Sequence, residues 1–176
     1  YIKKILLAIA LIGLVIAGYC SYYVYNIMFQ PNTSFNNEEA YVLISKNDTY
    51  EDVKLQIEPL LKDIKTFDAL AEQKKYKYNV KSGRYIIRKG MNNNDIINSI
   101  RSKNMPLNIS FNNQERLENL AGRLAQQLDV DSLELLTVME DPKFLAKHNF
   151  TNETALSMYV PNSYEFFWNS SAETIR

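Results

Sequence analysis

The sequence predicts an α+β protein carried on an N-terminal transmembrane helix, and three observations predict it. Residues 5–25 hold no charged side chain. Beyond them, short β-type runs such as Tyr41-Val42-Leu43-Ile44-Ser45 alternate with stretches whose apolar residues recur at helical spacing. Five Gly in 176 residues leave no G-x-G-x-x-G or Walker-type run, so a nucleotide-binding sheet is not expected.

The remaining composition narrows the function. Twenty Lys+Arg balance 20 Asp+Glu, and a neutral chain lacks the basic surplus that displaces counterions from nucleic acid. One Cys and one His exclude a four-ligand Cys/His zinc site and an intrachain disulfide. No metal or cofactor is expected.

As a helix, residues 5–25 would span roughly 32 Å against about 30 Å of hydrocarbon. Tyr19, Tyr22, Tyr23 and Tyr25 then form an aromatic belt at the far interface. Lys3 and Lys4 precede the span and no Lys or Arg follows it until Lys46. The positive-inside rule therefore places the N-terminus in the cytoplasm and the rest outside. A cleaved signal peptide would have a shorter apolar region and a small-x-small site. Ala17-Gly18-Tyr19-Cys20 has the outline of a lipoprotein box, but bulky Tyr19 before Cys20 spoils it. The reading is an uncleaved single-pass anchor, with Cys20 a lipid-facing small hydrophobe.

Residues 30–40, with Pro31 and three Asn, read as a linker. After the Tyr41 strand, Thr49 and Asp52 make a capping box for a helix carrying Val53, Ile57, Leu60, Leu61 and Ile64, divided by Pro59. Thr66 is the expected cap of a second helix with Phe67, Leu70 and Ala71 inside. Residues 74–81 interleave four lysines with Tyr76 and Tyr78, a solvated connection whose tyrosines touch the core. Ser82-Gly83 turns into a strand at residues 84–88, and Asn92 or Asn93 caps a helix carrying Ile96, Ile97 and Ile100. Leu107, Ile109 and Phe111 alternate as a strand. Leu117, Leu120, Ala121, Leu124, Ala125 and Leu128 then mark an amphipathic helix, capped by Asn112 or Asn113. A helix over about residues 132–139 follows, and Asp141-Pro142 opens another.

Candidate chemistry is sparse. His148 has no strained G-x-S-x-G serine to serve and reads as a surface or helix-end histidine. Six N-x-[ST] sequons, at Asn32, Asn47, Asn108, Asn149, Asn152 and Asn169, occur in a chain with 19 Asn and read as coincidence. The informative stretch is Met158-Tyr159-Val160-Pro161-Asn162-Ser163-Tyr164-Glu165-Phe166-Phe167-Trp168. Aromatic platforms beside a polar turn suit sugar rings, which offer an apolar face and a polar rim; a core strand with a turn has the same pattern. Glu165 among these rings is a candidate general acid, provided desolvation raises its pKa.

Three stretches together resemble the MltG family of endolytic murein transglycosylases, also called YceG-like proteins. Lys81-Ser82-Gly83-Arg84-Tyr85-Ile86-Ile87-Arg88-Lys89-Gly90-Met91, continued through Asp95-Ile96-Ile97 and Ile100-Arg101-Ser102, resembles the family's G-x-Y-x-I-x-x-G-M strand and helix. Residues 107–128 are similar to the strand and helix that open its catalytic domain. Tyr159-Val160-Pro161-Asn162-Ser163-Tyr164-Glu165 resembles its F-x-P-[DN]-[ST]-Y segment. The chain departs from the common form at Leu156-Ser157, where the family has Glu-Gly, and at Asn162, where Asp is commoner. It departs again at Ser110-Phe111-Asn112-Asn113, in place of I-P-E-G.

The resemblance implies a cytoplasmic stub and anchor at 1–29, a linker at 30–40 and a LysM-like strand-helix-helix-strand subdomain at 41–105. Residues 106–176 would be the N-terminal part of an α+β catalytic domain. It implies a membrane-anchored enzyme that cleaves nascent peptidoglycan strands non-hydrolytically, leaving 1,6-anhydro-N-acetylmuramic acid ends. Pro161, Asn162, Ser163 and Tyr164 would contact the glycan. The family's catalytic Glu lies in an S-I-[IV]-E-x-E-like helix that has no counterpart here, so it is expected beyond Arg176, with Glu165 the one candidate inside the chain. The absent start Met and the ending Thr174-Ile175-Arg176 read as a fragment. Implied partners are glycan strands, the inner (plasma) membrane and cell-wall synthases, with the bulk of the chain in the periplasm or outside. The competing expectations are a non-catalytic peptidoglycan-binding scaffold and a glycosylated ectodomain.

Overall fold

The computed structural model describes residues 1–176 and has an α+β architecture of helices and two small sheets, led by an apolar helix. Helix α1 (Ile2–Phe29) outruns the uncharged stretch at both ends, taking in Lys3 and Lys4 and residues 26–29. Its 28 residues make it about 42 Å long. It is long and apolar enough to cross a membrane, and none of its residues is buried. The chain divides into two compact units, each drawn from discontinuous segments, so residues 41–105 contribute to both.

The first unit comprises Tyr1–Ala40, Thr49–Val80 and Ile87–Ser102. Helix α2 (Tyr50–Ile57) starts on the predicted capping box. The Asp52 N–H donates to Thr49 Oγ1 at 3.5 Å and the Thr49 N–H donates to Asp52 Oδ2 at 2.7 Å. Pro59 falls in the single 3-10 turn Glu58–Leu60 that ends this segment, where a missing N–H costs no helical bond. Helix α3 (Ile64–Gln73) is capped by Asp63, not by Thr66. The Asp63 carboxylate accepts from the Lys65 N–H at 2.8 Å and the Thr66 N–H at 3.4 Å, while the Thr66 hydroxyl donates back to the Asp63 carbonyl. A carboxylate one turn earlier meets two orphan donors and the positive end of the helix, which outweighs what a threonine inside the turn offers. Before helix α4 (Asn93–Ser102), Asn92 is the capping side chain, accepting from the Asp95 N–H at 2.8 Å. Val53, Ile57, Phe67, Leu70, Ile96 and Ile97 are fully or almost fully buried here, and Tyr76 meets Tyr50 edge-on. Tyr78 is 77% exposed, so only one of the two tyrosines between the lysines reaches the core.

The stretch read as a linker is strapped onto this unit. Pro31 bridges to Asn92 and Thr33 to Leu61. The Asn32 N–H donates to the Met91 carbonyl at 3.0 Å, the Lys62 N–H donates to the Asn32 carbonyl at 2.9 Å, and Asn32 and Thr33 are buried. Irregular backbone satisfied by neighbours has the same composition as irregular backbone satisfied by water, which is why the sequence reads as a free connection. Burial also removes Asn32 from any list of usable glycosylation sites.

The second unit comprises Tyr41–Asp48, Lys81–Ile86 and Lys103–Arg176. Strand β1 (Glu39–Ile44) pairs with β2 (Gly83–Arg88), most of both strands lying in this unit. Gly83 has φ +151°, and a Cβ on it would meet the Asn104 side chain at 2.6 Å. Strand β3 (Pro106–Ser110) pairs antiparallel with β4 (Ser163–Phe167), with Ile109 opposite Tyr164 and Asn108 opposite Glu165. Helix α5 (Leu117–Ala125) begins after Arg116 with no side-chain cap, well past Asn112 and Asn113. Phe111 stays in the core, and the residues after it carry the chain from strand to helix. Leu128, expected on the last turn of this helix, is buried from a turn beyond it. Helix α6 (Ser132–Met139) has the expected bounds and is capped by Asp131, which the sequence reading did not single out; α7 (Pro142–Lys147) starts on Asp141 as expected, and α8 (Ala172–Ile175) is a single turn. Ile109, Phe111, Leu117, Leu120, Leu124, Leu135, Met139 and Leu145 form the core under these elements.

Candidate functional site

The aromatic stretch enters the second unit as a 3-10 turn, Ala155–Met158, followed by a bend and strand β4. The bend is closed locally. The Tyr164 hydroxyl donates to the Val160 carbonyl at 2.7 Å, and the Ser163 N–H donates to Asn162 Oδ1 at 2.8 Å. Such side chain–backbone bonds are what Asn and Ser contribute at turns. The β3–β4 register sets Tyr164 opposite Ile109, and Phe111, two residues on, shares the face of Ile109. Their diagonal placement lets the rings of Phe111 and Tyr164 stack, with centroids 5.7 Å apart and planes 8° from parallel.

Two open clefts flank this pair. The first, of about 490 Å³, is lined by Ile109, Phe111, Phe144, His148, Tyr159, Tyr164, Phe166 and Arg176 among others. The second, of about 460 Å³, is lined by Phe111, Asn112, Asn113, Gln114, Glu153, Ser157, Tyr159 and Pro161 among others. Phe111 and Tyr159 are walls of both. Of the four side chains expected to contact glycan, Pro161 lines the second cleft and Tyr164 the first. Asn162 and Ser163 line neither; both are exposed at the bend, which Asn162 shapes. Glu165 is exposed and paired in register with Asn108, so the burial that a desolvated general acid depends on is missing. Strand alternation sends it to the face opposite Tyr164, a distinction the run of aromatics around it hides.

Three lining residues gain detail from the structure, and one of them, Glu153, the sequence did not mark at all. The Tyr159 hydroxyl is buried with no hydrogen-bond partner. Burial pushes this phenol up, partly opposed by the Arg176 charge. Glu153 is the carboxylate of the second cleft, and nothing in Thr151-Asn152-Glu153-Thr154 distinguishes it from an ordinary turn. His148 follows α7 and lies 4.9 Å from the Phe144 ring, which the Arg176 guanidinium also covers at 4.3 Å. Its helix-end position agrees with the sequence reading, and its place on a cleft wall adds to it. No group of three or more His, Cys, Asp or Glu is arranged to hold a metal ion.

Residues 42–176 match the model of the YceG-like family. The crystal structure of a YceG-like protein from Listeria monocytogenes is similar at 22% identity with a TM-score of 0.41, covering 80% of this chain and 52% of that one. The chain therefore spans about half the length of that relative. No curated protein matches. The family match takes in the second half of β1, all of β2, β3 and β4 and the whole aromatic bend, and on that extent the chain belongs to the YceG-like family.

Proposed function

We propose that this chain is part of a membrane-anchored endolytic transglycosylase that cuts nascent peptidoglycan strands without water, leaving 1,6-anhydro-N-acetylmuramic acid ends. The observation that carries the reading is the Phe111–Tyr164 stack between two open clefts, within the residues that match the family. Flat apolar rings beside amide and hydroxyl groups suit pyranose rings, and Asn112, Asn113 and Gln114 supply the amides in the second cleft. Proton transfer is assigned to a glutamate of the whole protein outside residues 1–176, since Glu165 is exposed and Glu153 sits on an open rim. That acid would protonate the glycosidic oxygen and then take the C6 hydroxyl proton as the sugar closes on itself. An intramolecular nucleophile has a high effective molarity, so one carboxyl group serves where a hydrolase uses two.

Helix α1 serves as the anchor in this reading, with Lys3 and Lys4 on the cytoplasmic side and the two units outside, at the inner membrane. The alternative reading is a non-catalytic peptidoglycan-binding scaffold, in which the rings and amides of the two clefts would bind glycan and nothing more. Purified chain mixed with isolated glycan strands tests the part both readings share. Phe111→Ala and Tyr164→Ala should each lower retention on the strands, and unchanged retention would remove the aromatic pair as the binding platform.

A further inference from the structure

Membrane anchors commonly hand over to a flexible tether, and this one does not. The last turn of α1 is half-buried in the first unit, where α1 packs on α3 and α4. Asn93 Nδ2 donates to the Ile27 carbonyl at 2.8 Å, and the same nitrogen reaches Thr66 Oγ1 at 3.1 Å. Asn32 Nδ2 donates to Asn93 Oδ1 at 2.6 Å and to the Asp63 carbonyl at 2.8 Å, while Asn32 Oδ1 accepts from the Asp63 N–H at 2.9 Å. Asn32 and Asn93 are 5% and 2% exposed. Gln30 alone separates the helix from the first strapped residue, Pro31. Buried amides with this many satisfied bonds hold a fixed geometry, because breaking any one strands a polar group away from water.

The depth follows by counting residues. Tyr19, Tyr22, Tyr23 and Tyr25 are the ring residues of an interfacial belt. Ile27 is two residues past Tyr25, or about 3 Å along the helix axis, and the headgroup layer on each side of the hydrocarbon is about 5–8 Å thick. The clasp on Ile27 therefore falls within that layer. We infer that the end of the first unit around the α1 exit, including the exposed side chains of Lys62 and Lys65, is a surface that contacts phospholipid headgroups. Lys62 is fixed there by its N–H bond to the Asn32 carbonyl, and Lys65 by its N–H bond to Asp63. Long lysine side chains can reach phosphate while their stems lie along the protein. Asp63 between them is occupied in capping α3. The unit would ride on the membrane as one body with its helix, close to the bilayer, instead of reaching away from it.

This rests on the anchor reading above, and the test separates the two. In a Cys20→Ser background, Lys62→Cys and Lys65→Cys are labelled with a fluorophore and the chain is placed in phospholipid nanodiscs carrying a headgroup-attached quencher. A second set carries a Gly/Ser insertion between Gln30 and Pro31. The account predicts that quenching at both sites falls by about twofold or more when an insertion of about twelve residues, with a reach of about 20 Å, frees the unit. Equal thermal unfolding of the two sets confirms that the fold is kept. Labels at Lys62→Cys and Lys65→Cys that ignore the headgroup quencher, or that respond equally with and without the insertion, overturn the seated surface. In a parallel sample, native Cys20 is labelled against an acyl-chain quencher. Strong quenching there beside silent lysine sites leaves the anchor standing and removes only this inference, whereas a Cys20 label that stays in water removes both.

Discussion

The rings of Phe111 and Tyr164 lie 5.7 Å apart and 8° from parallel, one from the residue after β3 and the other from β4, and between them they bound both clefts. A double-mutant cycle of Phe111→Leu and Tyr164→Leu, read by urea denaturation, should give a coupling of about 0.5–1.5 kcal/mol. Tyr164→Phe keeps the stack and loses the hydroxyl bond to Val160. It should therefore leave that coupling intact while raising hydrogen exchange across residues 160–164.

The buried amide clasp predicts a stability effect out of proportion to its size. Asn93→Ala removes donors to the Ile27 carbonyl and Thr66 and an acceptor for Asn32. It should cost about 1–3 kcal/mol for the partners left unsatisfied, measured by denaturation of the detergent-solubilised chain. A change within a few tenths of a kcal/mol would mean that water replaces the amide freely.

Gly83→Ala tests the turn that opens β2. Its φ of +151° is one that L side chains rarely adopt, and the added methyl would run into Asn104 at 2.6 Å. Asn104 cannot move away without cost, because its Oδ1 accepts from the Arg84 N–H at 2.9 Å and its Nδ2 donates to Asn169 at 3.0 Å. The expected result is a clear fall in melting temperature, with Asn104→Gly in the same chain recovering only the part due to the collision. A neutral Gly83→Ala would contradict the geometry.

Charge on the first unit predicts how stability varies with pH. Burial opposes the charge of Asp68, but bonds from Lys77 and Tyr50 and the charges of Lys77 and Lys54 outweigh it and hold this carboxyl below its ordinary range. A folded pKa below the unfolded value of about 4 means that the contribution is complete above pH 4 or so and is lost as pH falls through the folded value. Lys77 is raised, chiefly by its bond to Asp68, so its contribution is complete below about pH 10 and is lost as pH rises through the raised value. Asp68→Asn should flatten the acid limb of a plot of melting temperature against pH and weaken the alkaline limb. Parallel curves for the two proteins would show that the pair contributes nothing.

What was legible in the sequence follows from which signals are local. The capping box at Thr49 and Asp52, the helix over 132–139 and the start at Asp141 depend on residues within a turn or two and appear where the sequence puts them. Helix α5 is legible from its apolar stripe, yet it starts at Leu117 and not after Asn113, and Phe111 before it is stacked on a ring more than 50 residues away, that of Tyr164. The strap over residues 31–34 was invisible for the same reason: its partners at Leu61, Met91 and Asn93 are distant in sequence. At the candidate site, Tyr164 and Pro161 were marked by their aromatic and turn context. The face on which Glu165 falls needed the register with Asn108, which no local pattern supplies.

Digestion of purified sacculi by the whole protein, followed by mass analysis of the released strands, separates transglycosylation from hydrolysis and from binding alone. Transglycosylation predicts internal cuts whose new ends are 1,6-anhydro-N-acetylmuramic acid, one water lighter than a reducing end. Reducing ends would mean hydrolysis by a water-activating pair of carboxylates, and uncut strands bound through Phe111 and Tyr164 would leave a scaffold in place of an enzyme; either result contradicts the account.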